Sequence, residues 1–227
     1  ENEYLMKCLM RVLLVCDDIF LNQVDYFTLI LKQLINIIEI ISTNPSNPKF
    51  THYSFETIAA VILRNSGKYK ENISTFMDLI IPKFLTLLGR EVFEFIPYIF
   101  QILSQLLELF PVGRDLPNYY KNLVKPILSP SVWEFRGNIP AISRLIVDII
   151  EVDSNSFNDN LIGLLGVFQK LISSRVNDKF GFEILESILI FVDLNVLQPY
   201  LNEIAKILLT RLQTNKTAQY VKSYVLL

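Results

Sequence analysis

One histidine, one tryptophan, two cysteines and seven glycines are all that 227 residues contain of the types that most often build metal sites, stacking platforms, disulfides and phosphate loops. His52 has no second imidazole to share a metal with, and both thiols are distant in sequence, so it reads as a surface or capping residue in the first turn of a helix. Cys8 and Cys16 lie within one apolar helical stretch, about 12 Å apart along its axis, too far for a disulfide. They read as buried free thiols, which points to a reducing compartment. No Gly-Lys-Ser/Thr follows Gly163 and Gly166, so these are not a phosphate loop; small residues three apart on one face suit close helix approach. A nucleophile with a base beside it is also missing, and the chain reads as non-enzymatic.

Charge is scarce as well. Charged residues make up 19% of the chain, the net charge is −2, and no run of Lys or Arg is longer than one residue. Nucleic-acid faces need clustered cations, so nucleic acid is not an expected partner. Half the residues are apolar and the mean hydropathy is +0.36, yet the most apolar stretch, Phe95–Phe110, runs for only 16 residues. It carries Gln101, Gln105 and Glu108 on one helical face, the pattern of a half-buried helix, whereas a membrane span needs about 20 apolar residues. Asp17-Asp18 looks like the magnesium-binding pair of all-α prenyl-chain enzymes, but Leu21 stands where the third acid belongs. No metal, cofactor or membrane is expected.

What is present is regular punctuation. Gly67, Gly89, Gly113 and Gly137 follow apolar stretches at intervals of 22, 24 and 24 residues, and polar breaks continue at 153–156, 177–178, 193–195 and 214–216. A break each half-repeat, with a full period near 40, marks stacked helical hairpins. The predicted helices are 2–16, 22–42, 50–66, 72–89, 94–110, 117–134, 138–152, 158–175, 179–193, 196–213 and 216 onward. β-Branched runs such as Leu34–Ile41 extend too far for strands. Asn22, Asn118 and Asp193 or Asn195 are candidate N-caps. Trp133 reads as packing between hairpins.

Prolines orient the hairpins. Pro97 and Pro140 fall in first turns, where a missing N–H costs little, while Pro82 and Pro126 lie deeper and are expected to kink their helices. A proline inside the first helix of a hairpin is a HEAT-repeat feature. The pairs are then 22–42 with 50–66, 72–89 with 94–110, 117–134 with 138–152 and 158–175 with 179–193; 196–213 opens a fifth. The expected fold is all-α, an α-solenoid of HEAT-type antiparallel hairpins. Residues 1–227 read as one continuous array of about four complete hairpins with partial repeats at both ends. Apolar patterning runs into both ends, so the chain is expected to be a piece of a longer array.

Specific strings carry a resemblance. Phe93-Glu94-Phe95-Ile96-Pro97-Tyr98-Ile99-Phe100-Gln101, Trp133-Glu134-Phe135-Arg136-Gly137-Asn138-Ile139-Pro140-Ala141 and Gly163-Leu164-Leu165-Gly166-Val167-Phe168-Gln169-Lys170-Leu171-Ile172-Ser173-Ser174 resemble the β-karyopherins, and among them the CAS-type exportins that return importin-α from the nucleus. Asn177-Asp178, Gly181-Phe182 and the triplets Asn2-Glu3-Tyr4 and Arg211-Leu212-Gln213 extend the likeness over the whole chain. It implies a middle-to-C-terminal portion of such a receptor, with importin-α as cargo, RanGTP as co-ligand, nucleoporins as further partners, and shuttling between nucleus and cytoplasm.

In that family the second helix of each hairpin lines the concave, partner-holding face. Its polar positions here are Arg64, Gln101, Gln105, Glu108, Arg144, Asp148, Glu151, Glu183 and Glu186. The expected partner-binding residues are Arg136, Arg144, Asp148, Asn177, Asp178 and Lys179, where turns meet second helices. The competing expectation is a non-transport HEAT scaffold for a phosphatase or translation-factor assembly.

Overall fold

A computed structural model describes residues 1–16, 24–66, 69–111 and 114–227. Asp17, Asp18, Leu21, Asn22, Gly67 and Gly113, singled out above, lie outside the described residues. Among the described residues all regular structure is helical. None of these helices is long and apolar enough to cross a membrane. No His/Cys/Asp/Glu group there could hold a metal.

The chain divides into two compact units, Glu1–Val112 and Gly113–Leu227. The first contains α1 (Glu3–Val15), α2 (Val24–Ile41), α3 (Pro48–Ser66), α4 (Ile73–Gly89) and α5 (Ile96–Glu108). Helix α2 packs on α3 and α4 on α5, the predicted hairpins; α2 also packs on α4, and α3 lies against both α1 and α5. First helices thus form one layer and second helices another, with α1 in the second layer. The starts follow local chemistry. Asn2 Oδ1 accepts from the amides of Tyr4 and Leu5 at 3.0 and 3.1 Å, satisfying amides that have no helical partner. Asn47 Oδ1 accepts from Phe50 N at 3.0 Å, and Pro48 takes the first position of α3, where no N–H is needed.

The second unit contains α6 (Asn118–Ile127), α7 (Ile139–Val152), α8 (Leu161–Ile172), α9 (Asp178–Phe191), α10 (Leu194–Leu197), α11 (Leu201–Thr214) and α12 (Ala218–Leu226). Helix α9 packs on α8, its hairpin partner, and on α7 and α12, while α8 packs on α11. Second helices α7, α9 and α12 form one layer, and α8 and α11 belong to the other. Helix α6 packs on the 3-10 segment Ser154–Asn160 that leads into α8.

Three predicted helices are shorter than their apolar pattern. The helix expected over 117–134 ends at Ile127, because Pro130 holds Ser129 extended (φ −64°, ψ 133°) and a separate 3-10 turn covers Pro130–Trp133. Pro126 therefore sits in a last turn, not deep inside a helix. Residues 154–160 are 3-10 rather than the start of 158–175. Pro199 divides the predicted 196–213, giving α10, a 3-10 turn at Gln198–Tyr200 and α11. Asp193 does cap, accepting from Asn195 N at 2.7 Å, whereas Asn118 is the first residue of α6 and its side chain caps nothing.

Two other expectations need correction. Cys8 is exposed and Cys16 half-buried, where both were expected to be buried; both are free. Of the glycine pair, Gly163 does bring helices close, since a Cβ there would meet Leu128 Cδ1 at 3.3 Å, but Gly166 faces open space. The tightest approach is at Gly181, where a Cβ would lie 2.9 Å from Ile172 Cγ1 and 3.2 Å from Ile172 N. Glycine there lets α9 close on the end of α8.

Candidate functional site

In the second unit the turns joining first to second helices are built by side chains that bond to helix-terminal carbonyls. Trp133 is 2% exposed, and its Nε1 donates to Ile127 O at 2.7 Å. Asn138 Nδ2 donates to Val132 O at 3.1 Å, closing the turn around the indole. Trp133→Phe keeps most of the packing but strands a buried carbonyl, so a loss of about 1–3 kcal/mol is expected. Far-UV circular dichroism under urea reads it, since Trp133 is the only tryptophan; an unchanged midpoint would refute the bond's importance.

The next turn is organised by a residue the sequence reading did not single out as functional. Arg211, on α11, is 5% exposed and its Nε donates to Ile172 O, at the end of α8, at 3.0 Å. Its Nη2 lies 3.6 Å from Asp178 Oδ2, and the guanidinium sits over the Tyr220 ring, 4.9 Å from its centroid. Tyr220, fully buried, donates to Leu208 O at 2.9 Å. The cluster is incompletely satisfied: Asp178 Oδ2 and both Arg211 Nη atoms make no hydrogen bond. Burial pushes the Asp178 carboxyl up, with the Lys179 amide and the Arg211 charge pulling it back. Burial likewise pushes the Tyr220 phenol up to about 12, against the Arg211 charge. The sequence did hold a signal, because Ile204, Leu208 and Arg211 are the buried residues of α11 and fall on one helical stripe.

The six expected contact residues separate into two groups. Arg136, Arg144 and Lys179 are exposed, and Asn177 is half-buried in the turn before α9. Lys179 holds its ammonium over the Phe180 ring, 4.5 Å from the centroid. Asp178 and Asp148 are 4% and 7% exposed, and face the interior. Asp148 lies close enough to the fully buried Tyr120 for its charge to add to burial in raising that phenol well above its usual value. Asp178 is thus placed to fix the turn before α9, while Lys179 next to it, and Arg136 in the turn before α7, are exposed.

Among the other second-helix polar residues, two in the first unit are tied inward. Arg64 Nη2 donates to Cys16 O at 2.8 Å and Gln105 Nε2 to Ala59 O at 3.0 Å. Gln101, Glu108, Glu151, Glu183 and Glu186 are exposed. Glu183 is raised by burial, opposed by Lys179 and reinforced by Glu186. His52 is half-buried with Nδ1 3.4 Å from Tyr98 Oη, a surface aromatic contact and not a ligand set. Among the described residues no His/Cys/Asp/Glu group could hold a metal ion.

Comparison with known proteins gives one consistent result. The family described as "CAS/CSE protein, C-terminus" matches residues 1–227. The chain is 42% identical to the importin alpha re-exporter of Saccharomyces cerevisiae over 222 residues, covering 98% of this chain and 22% of the relative. It is 37% identical to Exportin-2 of Homo sapiens, covering 99% of this chain and 23% of that protein. Among solved structures, the exportin Cse1 in its cargo-free, cytoplasmic state superposes with a TM-score of 0.89 at 41% identity, over 98% of this chain and 23% of that one. The all-α solenoid expected from the sequence is therefore the fold. The chain spans under a quarter of the length of these relatives, and it belongs to the CAS/CSE family, whose C-terminal region it matches from end to end.

Proposed function

We propose that this chain is the C-terminal part of a nuclear export receptor that carries importin-α from nucleus to cytoplasm in complex with RanGTP. The observation that carries the reading is 42% identity, over nearly the whole chain, to a protein named for re-exporting importin alpha. The mechanism is protein–protein binding, without catalysis. Cargo and RanGTP each favour the receptor state that holds the other, a reciprocal coupling of typically about 1–3 kcal/mol. Nucleoporins are the further partners of a receptor that shuttles through the pore.

Within this region the contacts fall to the exposed positions Arg136, Arg144 and Lys179, with Asn177 at the turn. Asp178 and Asp148 support them from beneath. Capture of importin-α by the full-length protein, with and without GTP-locked Ran, tests the reading. Importin-α is expected to be retained strongly only with Ran·GTP; capture indifferent to Ran, or none, overturns it and leaves a scaffold role.

A further inference from the structure

In the second unit the turns that lead from first to second helices are rich in exposed cations and poor in exposed acids. Short antiparallel hairpins, with α7 against α9, α9 against α12 and α8 against α11, bring the α6–α7, α8–α9 and α11–α12 turns to one edge. Arg175 ties two of these turns directly, its Nε donating to Asn215 Oδ1 at 2.7 Å. Exposed on this edge are Arg136, Arg175, Lys179 and Lys216. The turns contain one exposed acid, Glu134, since Asp178 is buried against Arg211. Elsewhere in the unit, residues 153–160 and 192–200 carry Asp153, Asp159 and Asp193; Asp153 pairs with Lys121 at 3.9 Å, and Asp159 shares a pocket with Lys125.

Helix dipoles do not account for the basic edge. Cations near helix C-termini offset the dipole, and Lys125 and Lys170, in the last turns of α6 and α8, have that explanation. Arg136, Lys179 and Lys216 instead stand just before or within the first turns of α7, α9 and α12. There the dipole is already positive and favours anions. The N-terminal ends of α7, α9 and α12 reinforce these cations, while the C-terminal ends of α6, α8 and α11 in the same turns offset them in part. Two apolar side chains share the same turns, Phe135 at 48% and Val176 at 74% exposure.

We propose that this edge binds an acidic polypeptide segment that also carries apolar side chains. Neighbouring helices lie roughly 8–10 Å apart, so the three turns span about 20 Å, the reach of about six extended residues. Acidic side chains meet Arg136, Arg175, Lys179 and Lys216 in turn, with apolar ones against Phe135 and Val176. A nucleic acid fits less well: the cations are single and spaced, Phe135 alone offers an exposed ring in these turns, and single strands are held on successive aromatic platforms. The inference deepens the placing of partner contacts at these turns, whatever the identity of the cargo.

The test uses the full-length protein and a fluorescein-labelled peptide of about twelve residues, mostly Glu and Asp with two or three Leu, read by anisotropy. The wild type is expected to bind it, more weakly as salt rises. Arg136→Glu/Lys179→Glu/Lys216→Glu is expected to lose at least about ten-fold in affinity, while Lys32→Glu/Lys70→Glu, at exposed positions of the first unit, leaves it unchanged. Equal binding by the triple variant, an equal loss in the control variant, or equally tight binding of an oligothymidylate would each overturn the inference. Loss of importin-α capture in the triple variant, with no peptide binding by the wild type, would sink this inference and leave the export reading standing. Peptide binding without importin-α capture would do the converse.

Discussion

Arg211→Ala is expected to weaken the α8–α12 region by about 3–5 kcal/mol, the usual result of removing one partner from a buried ion pair. Both side chains are 5% exposed, so the stranded Asp178 carboxylate finds neither water nor another cation. The variant also loses the bond to Ile172 O and the cation over Tyr220. Native-state amide exchange resolves the effect locally, with protection falling first in α9, α11 and α12. The pair is imperfect, since its closest N···O distance is 3.6 Å and the atoms concerned make no hydrogen bond. Replacing both members, as Arg211→Met/Asp178→Asn, should then recover at least half of the loss. A single variant as stable as wild type, or a double variant worse than the single, would refute this account.

The same cluster sets a pH dependence with a defined sign. Asp178 is raised from 3.8 by burial, despite Lys179 N and Arg211. The folded chain therefore binds this proton more tightly than the unfolded chain, and ionising the group costs stability as pH rises above 3.8 through the raised value. Without Arg211 one of the opposing influences is gone and the shift grows. The Arg211→Ala deficit should thus be smaller near pH 4 than near pH 7; a deficit independent of pH would place the loss in packing alone.

Helix existence was legible in the sequence because its signals are local. Gly89 is the last residue of α4, Pro97 and Pro140 open helices, and Asp193 caps, all as chemistry over a few residues dictates. The 3-10 segments were not legible, because Phe157 and Trp133 continue the apolar period while the backbone beneath them has already left the α-helix. At the site, the turns could be located but the roles of their residues could not. Asn177, Asp178 and Lys179 are alike as surface-type residues; only a partner 33 positions away, Arg211, sends Asp178 inward and leaves Lys179 outside. Arg64 and Gln105 show the same limit, the one turned to the carbonyl of Cys16 just past α1 and the other to that of Ala59 on α3. The grouping of cations also depends on topology, since Arg136, Lys179 and Lys216 are far apart in sequence and share an edge only after the hairpins stack.

Phe55→Ala should be the most damaging core substitution in the first unit, at about 3–5 kcal/mol. Phe55 is 1% exposed and joins three helices through its ring. It stacks on Tyr98 at 5.0 Å and 7°, meets Phe95 edge-on at 5.3 Å and 77°, and lies 5.9 Å from Phe84. Phe84 comes from α4, Phe95 from the turn before α5 and Tyr98 from its first turn, so one side chain on α3 holds the α4–α5 hairpin in place. Little can collapse into the gap, because Phe84 and Phe95 are fully buried and fixed by their own helices. Phe55→Leu, which keeps most of the volume, should cost much less. A second readout distinguishes this clamp from general loosening. Tyr98 is raised chiefly by burial, with Glu56 adding to it; removing the stacked ring lets water reach the phenol, so it should titrate closer to its ordinary value in Phe55→Ala. A stability change under about 1 kcal/mol, or an unmoved Tyr98 titration, would show that the α4–α5 hairpin is held by something other than this ring.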